Sequence, residues 1–202
     1  MARWLPGARG RLEAAALELF RERGFDQTTV TDIAARAGLD KRTFYRLFGD
    51  KREALFSGGP MLEEALVKTV GQLDSSPFET VIEAFCRVAD EYFADRLDLV
   101  RVRQSIIDAS PELQERELRK MGSMTAAVAA ALRAKGIGET TATLATESGV
   151  TVFRMAFARW AAPGSVGSLA DLITEVAAEL RAVTAAQPDN STTRERGQPS
   201  SS

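Results

Sequence analysis

The chain has 202 residues, 45% of them apolar, enough for a full core, and its net charge of −2 excludes both a solvated acidic tail and a uniformly basic nucleic-acid binder. It has no histidine and a single cysteine, Cys86. The general base of Ser-His and Cys-His sites, the commonest zinc ligand and an intrachain disulfide are therefore all missing, and neither a metal, a cofactor nor an enzymatic activity is expected.

From the N-terminus, the sequence reads as helix nearly throughout, with no sustained period-2 alternation. Met1 is not followed by an apolar leader, and no run of about 18 apolar residues occurs, so a cytoplasmic protein with no membrane partner is expected. Leu12, Ala15, Ala16, Leu19 and Phe20 recur at helical spacing, and Gly24 marks the stop. Thr29, with Asp32 three residues on, has the form of a capping box for a short helix whose apolar face is Val30, Ile33, Ala34 and Ala37. Gly38 ends that helix, and Asp40 caps the next, Lys41 to Phe48, which buries Phe44 and Phe48. Asp50 and Glu53 open another helix, which meets a break at Ser57-Gly58-Gly59-Pro60.

Val81, Ile82, Phe85, Ala89, Tyr92 and Phe93 mark a strong amphipathic helix. A polar helix follows around Leu99 to Asp108, then one from Pro111 to about Lys135, and one from about Glu139 to Trp160. Leu169, Leu172, Ile173, Val176, Leu180 and Val183 define the last helix. From Gln187 the chain has nothing to bury, and disorder is expected. The expected organisation is all-α: a three-helix, helix-turn-helix head over residues 1–56, a helical ligand-binding and dimerisation bundle over 57–186 and a disordered tail over 187–202.

Two short helices joined by Ala37-Gly38-Leu39-Asp40 have the form of a helix-turn-helix. Leu12, Ala16 and Phe20 supply its floor, and Ile33, Phe44 and Phe48 fill its middle. Lys41, Arg42, Thr43, Tyr45 and Arg46 are then left on the outer face, as donors suited to phosphates and base edges. Residues 1–56 hold 11 Lys/Arg against 8 Asp/Glu, a local charge of +3 on an acidic chain. The sign suits a DNA-binding head on a non-binding body. Arg3, Arg9 and Arg11 read either as a minor-groove arm or as a disordered basic terminus.

The segment from Gly24 to Lys51, with its Thr-Thr-Val-Thr-Asp-Ile-Ala-Ala-Arg-Ala-Gly-Leu-Asp-Lys-Arg-Thr-Phe-Tyr-Arg-Leu-Phe core, resembles the signature of tetracycline-repressor (TetR/AcrR) family regulators. The resemblance covers about the first quarter of the chain. It implies a homodimer joined by a four-helix interface of the last two long helices, with a small-molecule pocket in the body. It also implies a repressor that leaves a pseudo-palindromic, double-stranded operator when a hydrophobic or amphipathic effector binds. Carried over by position, Thr29 caps the first helix and touches a phosphate, and Thr31 sits near base edges. Lys41, Arg42 and Thr43 meet bases or flanking backbone, Tyr45 bonds a phosphate, Arg46 reaches base or phosphate, and Lys51 holds a phosphate. The chain departs from the pattern in two places: Leu47 stands where many relatives carry histidine, and the Ser57–Pro60 break interrupts a usually continuous linking helix.

In the body, Phe85, Phe93, Arg103, Ile107, Met121, Met124, Phe153, Phe157 and Trp160 are candidate pocket residues, and also ordinary core residues, a choice that spacing leaves open. Arg101, Arg103 and Gln104 opposite Asp108 read as an ion-pair network or as recognition of an anionic ligand. Cys86 reads as a packed small hydrophobe, with a redox sensor as the rival. Ala145, Gly149 and Ala156 are small residues inside a helix, where glycine costs roughly 1 kcal/mol against alanine. Either a dimer seam with Leu169, Leu172, Ile173, Val176 and Leu180 or a tight intrachain crossing accounts for them. A small helical enzyme and a helical interaction module that has lost DNA binding are the rival readings.

Overall fold

The computed structural model describes residues 7–185. Arg3 and the tail expected to be disordered lie outside the described residues. Four short or medium helices form the head: α1 (Ala8–Arg23), α2 (Val30–Arg36), α3 (Lys41–Leu47) and the single turn α4 (Glu53–Phe56). Six helices form the body: α5 (Gly59–Gln72), α6 (Pro77–Phe93), α7 (Leu97–Asp108), α8 (Pro111–Ala134), α9 (Glu139–Ala161) and α10 (Leu169–Ala185). No strand occurs among the described residues.

Two apolar cores organise this chain. In the head, Leu12, Leu19, Phe20, Ile33, Phe44 and Phe48 close the three-helix unit. The same core continues downward through Leu55 and Phe56 to Ile106 and Ile107 of α7 and Leu113 of α8. The head is therefore seated on the body by apolar contact. Ile107, expected in a ligand pocket, is instead buried in this junction, away from the wall of the large body cavity. The body core is built on α6, α9 and α10, which pack against one another, while α5 and α8 pair along the flank.

Gly149 decides how α6 and α9 meet. A Cβ at this position would lie 2.3 Å from Val81 Cγ1, well inside contact distance, so only glycine lets the helices approach this closely. Ala145 and Ala156 are buried within the same chain, as are Leu169, Ile173 and Val176 of α10. The dimer-seam expectation for these six residues is thus corrected: they form the intrachain crossing of α6, α9 and α10. Leu172 and Leu180 stay half-buried at the edge of that core.

The linking segment is also resolved. Ser57 and Gly58 keep helical backbone angles but do not continue α4, and α5 starts at Gly59 with Pro60 in its first turn. Cys86 is half-buried, its Sγ 3.7 Å from Ala170 O and 3.8 Å from Thr174 Oγ1. Burial raises its thiol pKa, as a packed small side chain requires.

Candidate nucleic-acid interface and ligand cavity

At seven residues each, α2 and α3 are far below the length at which a helix holds itself, so they depend on caps and packing. Thr29 Oγ1 accepts from Asp32 N at 3.2 Å, and Asp32 Oδ2 accepts from Thr29 N at 3.0 Å, a complete capping box. Hydrogen bonds from Thr29 hold the Asp32 carboxyl below its ordinary value. Gly38 turns the chain with φ 66°, the left-handed region that side chains disfavour, and Leu39 N returns to Ala34 O at 2.9 Å. Asp40 Oδ1 then accepts from Thr43 N at 2.6 Å, which opens α3 and lowers the Asp40 pKa.

Phe44 is fully buried and Phe48 nearly so, which fixes the rotation of α3. Lys41, Arg42, Tyr45 and Arg46 are consequently exposed, with Thr43 half-buried, and Thr29 and Thr31 of the preceding turn are exposed beside them. The Tyr45 ring stands edge-on to Phe44 at 5.8 Å, and Lys41 Nζ lies 5.8 Å from its centre.

Several other cations of the head are already engaged. Arg36 pairs with Glu18 and Glu22 at 3.3 and 3.0 Å, and Arg9 donates to Leu47 O at 2.9 Å while lying over Phe48. Arg9 is thereby held against the head, which removes it from the arm reading. Arg52 bridges Asp50 and Glu112, and Asp50 in turn accepts from Arg52 N and Glu53 N at the start of α4. Lys51, expected to hold a phosphate, makes its contacts within the head. Its ammonium donates to Phe25 O at 2.8 Å, Thr28 O at 3.2 Å and Asp26 O at 3.4 Å, and lies 4.1 Å from the Phe25 ring centre. All three protons clamp the α1–α2 loop. By contrast, Lys41, Arg42 and Arg46 of α3 form no ion pair among the described residues.

Beneath the head lies a cavity of about 890 Å³, bounded by α4, α5, α6, α7, α8 and α9. Phe85, Phe93, Met121, Met124, Phe153 and Phe157 come together on its wall, as does Arg103. Phe85 and Phe153 stack at 4.7 Å between centroids. Trp160, also expected there, is buried behind the wall, edge-on to Phe93 at 6.1 Å. Sequence reasoning missed, among others, Phe56, Gly59, Tyr92, Glu117 and Lys120 of the lining.

One corner of the cavity is polar. Arg103 Nε donates to Leu55 O of α4 at 2.9 Å, Nη2 pairs with Glu117 Oε2 at 2.8 Å, and the guanidinium lies 4.9 Å from the Phe56 ring centre. Arg116 grips Glu53 of α4 at 2.9 and 3.2 Å and faces the same ring at 5.4 Å. Lys120 Nζ stands 3.5 Å from Glu117 Oε1. Burial pushes the Glu117 carboxyl up, and Arg103 with Lys120 more than offsets that, leaving it below its ordinary value. Burial pushes the Lys120 ammonium down, with Glu117 opposing and Arg103 and Arg116 adding to the shift. The Arg103–Glu117 pair realises the ion-pair reading of this helix, and Gln104 Nε2 donates to Asp108 Oδ1 at 2.7 Å beside it. No signal in the sequence marked Lys120, because Glu117-Leu-Arg-Lys120 has the pattern of a solvated face.

Residues 12–57, which span α1 through α4, match the family of bacterial regulatory proteins described as the tetR family. The head therefore matches the TetR family over its DNA-binding unit. The chain is 27% identical over 140 residues to the HTH-type transcriptional regulator TcmR of Streptomyces glaucescens, a match covering 66% of this chain and 62% of TcmR. It thus spans less than two thirds of that curated relative. Among solved structures, the TetR-family repressor FadR of Thermus thermophilus, in complex with lauroyl-CoA, is 25% identical, with a TM-score of 0.55, covering 96% of this chain and 100% of FadR. A TetR-family regulator from Syntrophomonas wolfei superposes with a TM-score of 0.63 at 17% identity, covering 91% and 97%, a likeness of fold alone. The family match covers the helix-turn-helix head, and the all-helical body shares its fold with these structures. No helix among the described residues is long and apolar enough to cross a membrane.

Proposed function

We propose that this TetR-family chain is a ligand-responsive repressor that binds a pseudo-palindromic operator as a homodimer and leaves it when an amphipathic molecule enters the body cavity. The observation that carries the reading is the exposed face of α3. Lys41, Arg42, Tyr45 and Arg46 stand together on one helix whose rotation the buried Phe44 fixes, and the three cations form no ion pair among the described residues. A helix oriented by Phe44 with such a face suits the major groove. In this reading Arg42, Thr43 and Arg46 meet base edges or backbone, and Thr29, Thr31 and Tyr45 contact phosphates or neighbouring edges.

In this reading the dimer forms on what the crossing of α6, α9 and α10 leaves outside. Leu144 on α9 and Val183 on α10 are exposed large apolar residues, and Leu172 and Leu180 of α10 are half-buried. A second copy seated on these outer faces sets the spacing of two heads, and that spacing selects half-sites one helical turn apart, about 34–36 Å. The effector acts by favouring a dimer of different spacing, and its differential affinity for the two states limits the shift. The lauroyl-CoA of the FadR structure supports an amphipathic ligand for a body of this fold.

The test is titration of the full chain against duplex from its own upstream region at two salt concentrations, alongside genome-wide selection of bound fragments. Selective, salt-steep binding is expected. Arg46→Ala and Tyr45→Ala should each weaken binding by about 1–3 kcal/mol, and removal of a phosphate contact lowers the salt slope by about one. If no fragment is selected over random DNA, the reading fails.

A further inference from the structure

The polar corner of the cavity holds more positive than negative charge. Arg103, Arg116 and Lys120 converge there on two carboxylates, Glu53 and Glu117. Two of the cations have close partners, Arg103 with Glu117 at 2.8 Å and Arg116 with Glu53 at 2.9 Å. Lys120 comes to a carboxylate that Arg103 already holds. At 3.5 Å from Glu117 Oε1 it is beyond a strong hydrogen bond, and it has no other acceptor among the described residues. Its side chain is nevertheless only 20% exposed. A buried ammonium in this state is poorly compensated, as the downward push on its pKa also indicates.

The surroundings make room for a compensating group. Lys120 lies against the start of α5 at Gly59, where a Cβ would come 3.3 Å from Lys120 Cε. The Gly-Gly-Pro break thus admits the lysine stem where a side chain would crowd it. Beyond the ammonium the wall turns apolar, with Met121, Met124, Phe153 and Phe157 facing a space of about 890 Å³. Apolar cavities of this size with a few convergent charges are the usual form of small-molecule sites.

We propose that this cavity takes an amphipathic organic anion, its headgroup held by Lys120 and Arg103 and its apolar body lying among Met121, Met124, Phe153 and Phe157. The inference rests on the reading of the cavity as the effector site and names the chemical class. The underpaired ammonium favours an anionic headgroup, since a neutral amphipath leaves Lys120 uncompensated. Arg103 also gives the headgroup a route to the head. The same guanidinium holds Leu55 O and lies over Phe56, both on the one-turn helix that joins head to body. A headgroup that draws on Arg103 competes with that hold.

The experiment compares two fluorescent dyes on the full chain: anilinonaphthalene sulfonate, and N-phenylnaphthylamine, which has the same ring system without the charge. The folded wild type should prefer the anion by roughly tenfold or more, about 1.4 kcal/mol. Lys120→Met should erase that preference while leaving the neutral dye bound, and Lys120→Arg should retain it. Far-UV circular dichroism and the melting midpoint identify any variant that fails to fold, and the wild-type comparison stands without them. Equal affinity for the two dyes, binding of neither, or a preference that survives in a folded Lys120→Met chain overturns the proposal. Neither readout involves DNA, so a failure of operator binding is separable from a failure of this assignment.

Discussion

The head and the body of this molecule are held together by different means. In the head, α2 and α3 are two turns long, and each begins with a side chain that accepts a backbone proton, Thr29 for one and Asp40 for the other. Asp50 does the same work for the single turn of α4. In the body, α6, α7, α8 and α9 run from 12 to 24 residues, and none begins with a side-chain cap bond. A short helix has too few internal hydrogen bonds to offset its unpaired ends, so local chemistry must hold it. A long helix draws its stability from the faces it buries, and its ends matter less. In the body only α10 opens with a capping box, Ser168 Oγ accepting from Asp171 N at 3.1 Å and Asp171 Oδ2 accepting from Ser168 N at 3.2 Å. The short head helices depend most on polar detail, and α6 to α9 on shape.

The contrast is sharpest at the two close-packed points. Phe44→Ala empties the centre of the head and should cost about 3–5 kcal/mol, with loss of DNA binding, read by chemical denaturation and operator titration. Gly149→Ala drives a methyl group into Val81 and should cost about 1–3 kcal/mol by overpacking. Trimming the partner by Val81→Ala should recover much of that loss. If sedimentation instead showed that Gly149→Ala weakens a dimer, with no rescue by Val81→Ala, the intrachain crossing would not be the constraint.

Cap removal comes next in size. Thr29→Ala and Asp40→Ala should each cost about 1 kcal/mol, and comparable removal of Ser76 or Ser110 in the body should cost much less, since neither makes a cap bond. Acid tests the caps without mutation. Asp32, Asp40 and Asp50 all have depressed pKa values in the folded chain. Their contribution is therefore fully present above the ordinary aspartate value of about 3.9 and is lost as pH falls through the lower folded values. Operator binding, which needs the capped α2 and α3, should be lost on titration below about pH 4, and the body's Asp171 and Glu179, also depressed, add to the loss of overall stability there. The smallest effect should be Arg159→Ala on the α9–α10 surface. Its pair with Glu179 is exposed, and such pairs contribute about 0–1 kcal/mol, visible as a slight drop in Tm that salt reduces further.

Legibility in the sequence followed the same division. The capping box at Thr29 and Asp32, the turn at Gly38 and the cap at Asp40 are fixed by residue types a few positions apart, and all three are present as read. The outer face of α3 was equally readable, because Phe44 and Phe48 leave only one rotation for the helix. Lys51 was not. Its position in the chain suits a phosphate contact, and only the folded loop brings three carbonyls within its reach. In the body, the apolar periodicity located the helices but could not separate a wall from a core. Met121 and Phe153 face the cavity while Ile107 and Trp160 do not, although all four are large apolar residues at helical spacing.

By itself, then, the sequence determined the helical class, the head with its turn, and the exposed basic face, since each depends on contacts within a few residues or on a single helical period. Only the tertiary structure decided that Gly149 serves a crossing inside one chain, that Ile107 belongs to the head–body junction, and that Lys120 stands underpaired at the edge of an apolar cavity. Those outcomes depend on which helix faces which, across 40 to 70 residues of chain, and a local pattern carries no information about a distant partner's shape or charge.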